Sequence, residues 1–390
     1  MSLGKIWARL SLPGPGWRTR LLALALGAVS ALAFTPIFAV PILWPAFIFL
    51  ALQAASAARV RDAALTGWLF GVGHFAVGIY WIGNAFLVDR ATHGWMMPFA
   101  VFGMAAGMAI YIAIAAAATR WAMAVSGVGR PLLPVAFAAS WMAAEWLRSW
   151  VLTGFPWNPI ASVWAVSPEM MQAAAWIGTP GLGFLTVLVF TSPAAGWHWR
   201  PAEARPGVAV FVGGSVLLPL LLYAFGHARI AATTVADHPG IVLRLIQANI
   251  PQAEKWVPAL KRGHVIKQMR MSRRSPGPAG PPTHVVWGET MVPFVIEPNS
   301  DIPGMLAAEV PKGGAMIFGA PRQDQAGNVF NSAFAIDDDG RVAATYDKAH
   351  LVPFGEYVPL RGILPIEKLT PRPRRLCRRS GPPQHGDQGI

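Results

Sequence analysis

From Leu21 to Gly226 the chain alternates long apolar runs with short polar joints, and from Ile241 the rhythm shortens to strand-length runs between polar turns. A helix crosses the hydrocarbon core of a bilayer in about 20 residues. Seven stretches approach that length, at 21–38, 40–58, 64–88, 97–119, 131–150, 174–197 and 207–226, the fifth and sixth interrupted by Glu145, Arg148 and several Pro and Gly. Beyond the shift in composition between Gly226 and Pro239, "IVLRLIQANIPQ" reads as a strand entering a loop and "THVVWGETMVPF" as a buried strand. Residues 315–357 carry three more strands, with Asp337–Gly340 as a hairpin turn. Lys255 to Arg274 predicts a helix with a basic face. Strand, helix, strand and then hairpins predict an α/β domain around a central sheet.

Composition sharpens this division. Residues are 54% hydrophobic and only 13% charged, with mean hydropathy +0.42, whereas soluble domains carry about twice that charged fraction. The expected organisation is a cytoplasmic segment (1–20), a transmembrane bundle of about seven helices (21–226), a water-soluble catalytic domain (241–369) and an aberrant Arg/Pro-rich tail (370–390). The net charge of +13 does not point to nucleic acid, because Lys and Arg are dispersed between apolar spans and crowded at the tail. In such a chain they set orientation. With the N-terminus cytoplasmic, the inside segments hold Lys5, Arg9, Arg18 and Arg20, then Arg59 and Arg61, Arg120 and Arg130, Arg200 and Arg205. The outside loops hold only Arg90 and Arg148. Seven spans then place the domain from Ile241 on the extracytoplasmic face, periplasmic in a bacterium; an even count would reverse that. The basic start and first apolar run lack a small-x-small cleavage site, so the first span is read as retained.

Three polar positions close hydrophobic strands: Glu289 in "VVWGE", Lys348 in "AATYDK" and Glu356 eight residues on in "PFGEY". A carboxylate at a strand end is partly desolvated, which raises its pKa toward that of a general base. A neighbouring ammonium opposes the shift and stabilises an oxyanion. Taken singly, each is more often a structural ion pair; three on strand ends in one domain strengthen the catalytic reading. In the membrane part, "LTGFPWNPIASVWA" reads as an interfacial aromatic belt or a substrate contact, and Glu145 and Arg148 are spaced to pair on one helix face.

"QANIPQAEKW", "VVWGETMVPF", "NSAFAI", "GFPWNP" and above all "YDKAHLVPFGEYVPL" resemble the apolipoprotein N-acyltransferase family. The likeness runs from about residue 20 to 369. It implies a nitrilase-like αββα sandwich carried by a bundle of transmembrane helices, and a Glu–Lys–Cys triad. By the same resemblance Glu289 matches the general base, Lys348 the triad lysine and Glu356 a second supporting glutamate. Trp256 matches a functionally important loop tryptophan, and Trp157 the membrane-side "GFPW" loop. The implied reaction moves an acyl chain from a membrane phospholipid, through a cysteine thioester, to the N-terminal α-amine of a diacylglyceryl-cysteine apolipoprotein. The implied setting is the bacterial inner membrane, with no metal or organic cofactor.

The family's nucleophile lies in a Cys-Tyr-Glu-like motif some tens of residues past the "FGEY" loop, before a final transmembrane helix. Here the single cysteine, Cys377, sits in "TPRPRRLCRRSGPP", which excludes an intramolecular disulfide. Flanking arginines favour a thiolate, but a Pro/Arg-rich setting provides no rigid support for a nucleophile. The expectation is therefore a chain truncated or frameshifted after about residue 370, with an incomplete sheet and impaired transfer. Two other readings remain: a lipid- or lipoprotein-binding remnant, and a membrane-tethered amidase or nitrilase. A transporter is disfavoured because the spans show neither an inverted repeat nor a midplane charge cluster.

Overall fold

The computed structural model describes residues 16–87, 90–125, 130–196, 205–352 and 356. The chain divides into two compact units, with the boundary between Thr234 and Val235. Helices form at all seven expected spans: α1 (Trp17–Ser30), α2 (Leu43–Ser56), α3 (Val60–Gly78), α4 (Met97–Val125), α5 (Leu133–Arg148), α6 (Ala174–Thr191) and α7 (Arg205–Ala232). Their lengths differ from the expectation. Among the described residues, three helices are long and apolar enough to cross a membrane, or four if α3 and the 3-10 helix Tyr80–Leu87, bent by 49°, make one span. The segment Val40–Ser56 is apolar but shorter. Helix α6 breaks at Gly178, whose φ is +67°, two residues before Pro180; a proline inside a helix removes one backbone hydrogen bond and crowds the preceding turn.

Aromatic packing and close backbone approach hold the first unit together. Phe47 lies among Phe70, Phe137 and Trp141, with ring centroids 6.4, 6.3 and 4.9 Å away. Helices α1 and α3 touch at Gly27 and Gly73, where a Cβ would fall 1.9 Å from the Phe70 carbonyl oxygen and 2.0 Å from that of Leu24. Small residues let apolar helices approach this closely, the usual route to association in lipid. Beside that seam, the buried Ser30 Oγ lies 2.8 Å from His74 Nδ1.

The second unit is built on one five-stranded sheet whose spatial order equals its chain order: β1 (Leu243–Ile246), β2 (His284–Trp287), β3 (Ala315–Gln323), β4 (Val329–Asp337) and β5 (Val342–Asp347). The first three run parallel; β3–β4 and β4–β5 are antiparallel. Parallel neighbours need a crossover, and α8 (Pro258–Ser272) supplies it between β1 and β2. The two-residue alternation of strands sends Val285, Trp287, Met316, Phe318, Phe334 and Ile336 into a core, with Phe318 stacked on Phe334 at 5.3 Å. Val265, Met269 and Met271 of α8 pack against this core, and Trp287 Nε1 donates to Ser272 Oγ at 3.0 Å. Arg244 on β1 donates to the carbonyls of Ser272 and Arg274, both at 2.6 Å, and of Ser275 at 3.1 Å. A cation there satisfies the acceptors that a helix C-terminus leaves open.

Candidate active site

Strand β2 ends at Trp287, and Glu289 follows after one glycine. Thr290 then turns the chain with φ +55°, a conformation that costs a β-branched residue strain. The turn lies directly on β3 at Gly319, where a Cβ would meet Thr290 N at 2.4 Å and Glu289 Cα at 2.9 Å. Only glycine admits that approach, so Gly319 fixes how far Glu289 projects. The Thr290 hydroxyl donates to Asn331 Oδ1 of β4 at 3.2 Å.

At the end of β5, Asp347 accepts from Arg322 at 2.9 and 2.8 Å and from Ser332 Oγ at 2.6 Å. The Lys348 backbone N–H donates to the Asn331 carbonyl at 2.8 Å. Lys348 therefore leaves the sheet from a fixed register, with its ammonium 3.3 Å from Glu289 Oε1 and 3.2 Å from Glu356 Oε2. Asn331 Nδ2 bridges the same carboxylates, donating to Glu289 Oε1 at 2.6 Å and to Glu356 Oε1 at 2.9 Å. Glu356 also accepts from the Val352 backbone N–H at 2.8 Å. The three predicted residues thus converge through a fourth, Asn331, that the sequence reading did not single out. Its signal was present: a polar Asn-Ser pair inside an alternating apolar strand, buried at 5% and 4% exposure.

Exposure separates the two glutamates. The Glu289 side chain is 62% exposed and that of Glu356 4%, so Glu289 can meet an incoming group while Glu356 anchors the lysine from beneath. The expectation of a raised Glu289 pKa is corrected. Burial pushes that carboxyl up, but the Asn331 amide and the Lys348 ammonium outweigh it and hold it below the ordinary glutamate value. Glu289 is then ionised at neutral pH and able to accept a proton, beside an ammonium placed to stabilise a developing oxyanion.

The loop of Trp256 is tied to this turn through Lys255, whose ammonium donates to the Glu289 carbonyl oxygen at 3.1 Å. Trp256 itself is half-buried, with Lys261 Nζ 5.5 Å from its ring centroid. Trp157 belongs to the first unit, where its half-exposed ring meets Trp81 edge-on at 5.2 Å. Its loop hangs on the Glu145–Arg148 pair (3.7 Å). Arg148 donates to the carbonyls of Phe155 at 2.9 Å and Trp157 at 2.6 Å, and Glu145 accepts from the Ile160 N–H at 3.0 Å. Cys377, and the "FGEYVPL" residues other than Glu356, lie outside the described residues. An open cleft of about 1130 Å³ beside β3–β5, lined in part by Glu297, Asp301, Arg322 and Asp324, contains none of the site carboxylates.

A family model for the apolipoprotein N-acyltransferase N-terminal domain matches residues 26–192. Curated relatives extend the similarity into the second unit. The chain is 36% identical over 375 residues to the apolipoprotein N-acyltransferase of Brucella melitensis, covering 90% of this chain and 67% of the relative. It is 34% identical over 370 residues to that of Rhodopseudomonas palustris, with the same coverage. Against that of Bradyrhizobium diazoefficiens it is 37% identical over 380 residues, covering 91% of this chain and 68% of the relative.

Proposed function

The chain belongs to the apolipoprotein N-acyltransferase family, and from that premise we propose that Glu289, Lys348 and Glu356 form the acid–base part of a cysteine-dependent acyl-transfer centre. The observation that carries this reading is one ammonium held 3.3 and 3.2 Å from two carboxylates of opposite exposure. Glu289 takes the proton of a cysteine thiol. The thiolate attacks the ester carbonyl of a membrane phospholipid, and Lys348 balances the tetrahedral oxyanion. When that intermediate collapses, the lysophospholipid leaves with the proton and the acyl chain remains as a thioester. The α-amine of a diacylglyceryl-cysteine apolipoprotein then attacks the thioester, freeing the thiol and forming the amide. Covalent catalysis divides one difficult transfer into two. The thiol comes from outside the described residues. Asn331 holds the two carboxylates in register, and Trp256 and Trp157 contribute substrate contacts.

The positive-inside pattern supports a multi-pass protein of the bacterial inner membrane, with residues 241–369 facing the extracytoplasmic side. Both substrates are membrane-anchored, so such a catalytic unit meets them by lateral diffusion. The mixed sheet with α8 against one face is consistent with a nitrilase-like sandwich.

The test is incubation of the full chain in proteoliposomes with a phospholipid carrying a labelled acyl chain. Label that becomes protein-bound, is released by hydroxylamine and is lost in Glu289→Gln supports the reading. Absence of label, with a diacylglyceryl lipopeptide still bound, would replace it with a lipid-binding role, which the Pro/Arg-rich sequence around Cys377, giving a nucleophile no rigid support, favours.

A further inference from the structure

Charge in the second unit is segregated along the chain. Between Val235 and Glu356 there are twelve Lys/Arg and twelve Asp/Glu; seven of the basic residues and none of the acidic ones fall within 255–274. That segment is α8 with its flanks. Some of its charges have local work. Lys255 donates to the Glu289 carbonyl, Lys261 lies over the rings of Trp256 and Phe294, and Arg273 pairs with the buried Glu309.

The remaining four are exposed: Arg262, Lys267, Arg270 and Arg274. Among the described residues no carboxylate partners any of them. A spacing of four puts residues on one ridge of a helix, so Arg262, Ile266 and Arg270 line up on α8, with Lys267 alongside and Arg274 two residues past the helix end. Like charges at that spacing weaken a helix in isolation. The opposite face of α8 is committed to the core through Met269, Gln268 and Ser272, which fixes the basic ridge outward. Ile266 and Leu260 add exposed apolar side chains to the same surface. A basic ridge with interleaved apolar groups complements an anionic bilayer surface.

We propose that the outer ridge of α8 docks on anionic phospholipid headgroups, so that the catalytic unit rests on negatively charged lipid. Charge complementarity points to lipid, as does chain connectivity: only residues 233–242 separate α7, which contains a candidate span, from β1. Ten residues reach about 35 Å at most, so the unit cannot leave the vicinity of the bilayer. The inference goes beyond acyl transfer and does not depend on it.

The experiment is backbone amide exchange of the full chain in nanodiscs of neutral phosphatidylcholine and in nanodiscs with about a third phosphatidylglycerol. Each basic residue near a charged surface adds roughly a fivefold preference, so three give on the order of a hundredfold. Amides of residues 258–272 are expected to exchange at least tenfold more slowly in the anionic discs, and the difference to vanish in 1 M salt, where screening reaches about 3 Å. The triple variant Arg262→Gln, Lys267→Gln, Arg270→Gln loses the effect, while Arg262→Lys, Lys267→Arg, Arg270→Lys keeps it. Protection of the β3–β4 amides reports that each variant is folded. Equal exchange in both lipids overturns the proposal, as does slowing that survives in the glutamine variant or is reproduced by soluble inorganic phosphate in neutral discs.

Discussion

Asn331 Nδ2 lies 2.6 Å from Glu289 Oε1, closer than the Lys348 ammonium at 3.3 Å. The amide also reaches Glu356 at 2.9 Å, so one β4 side chain aligns carboxylates contributed by β2 and by the segment after β5. Asn331→Ala is expected to raise the Glu289 pKa toward its ordinary value of about 4.3 and to leave the buried Thr290 hydroxyl without its acceptor. Loss of a buried partner costs about 1–3 kcal/mol. Carboxyl titration by NMR checks the first effect and urea unfolding of the full chain the second.

Lys348 is the only described ammonium that contacts both carboxylates. Lys348→Ala should reduce acyl transfer by roughly 10²–10³-fold, the cost of removing one oxyanion-stabilising donor, while lipopeptide binding is retained. A loss of binding with unchanged turnover of bound substrate would assign the lysine to recognition instead.

The lowered Glu289 pKa has a definite sign in stability. A carboxyl held below its unfolded value stabilises the fold fully above that value, about pH 4.3, and the contribution disappears as pH falls through the lower folded value. Denaturant midpoints of the wild type should therefore fall between pH 5 and pH 2 by more than those of Glu289→Gln. Equal slopes would mean that Glu289 is unpaired in solution.

Gly319→Ala places a methyl group against the Glu289–Thr290 turn. Forcing that volume into a closed contact costs about 1–3 kcal/mol and shifts Glu289 away from Lys348. Activity should fall further than stability, read as kcat against thermal midpoint.

In the first unit, Arg148→Ala strands the mostly buried Glu145 carboxylate and releases two carbonyls of the Trp157 loop. Breaking a buried pair costs about 3–5 kcal/mol. The double variant Glu145→Ala, Arg148→Ala should regain part of that loss in a detergent thermal-unfolding assay, because it removes the orphaned charge.

Legibility in the sequence followed the range of the interactions. The five strands, the turn at Asp337–Gly340 and the basic helix near 255–274 rest on local periodicity and turn chemistry, and they stand where the pattern puts them. Span lengths were less legible, because the bend after Gly78 and the break at Gly178 depend on packing that hydropathy does not record. In the site, Glu289, Lys348 and Glu356 could be found as polar residues following apolar strands. Asn331 shows in the sequence only as part of a polar pair in an apolar strand, and its role arises only when β4 lies beside the ends of β2 and β5. The direction of the Glu289 shift was missed for the same reason: desolvation is visible in a strand, but the amide that offsets it comes from 42 residues away.

The agreement of spatial strand order with chain order bears on how the second unit comes into being. Each strand that emerges finds its partner already laid down, so the sheet can grow vectorially during synthesis without waiting for a distant segment to thread between earlier ones. The carboxylate of Glu289 is set down early. In the order of synthesis Asn331 on β4 follows Glu289, Lys348 follows β5 and Glu356 comes last, so the cation is made before the second glutamate.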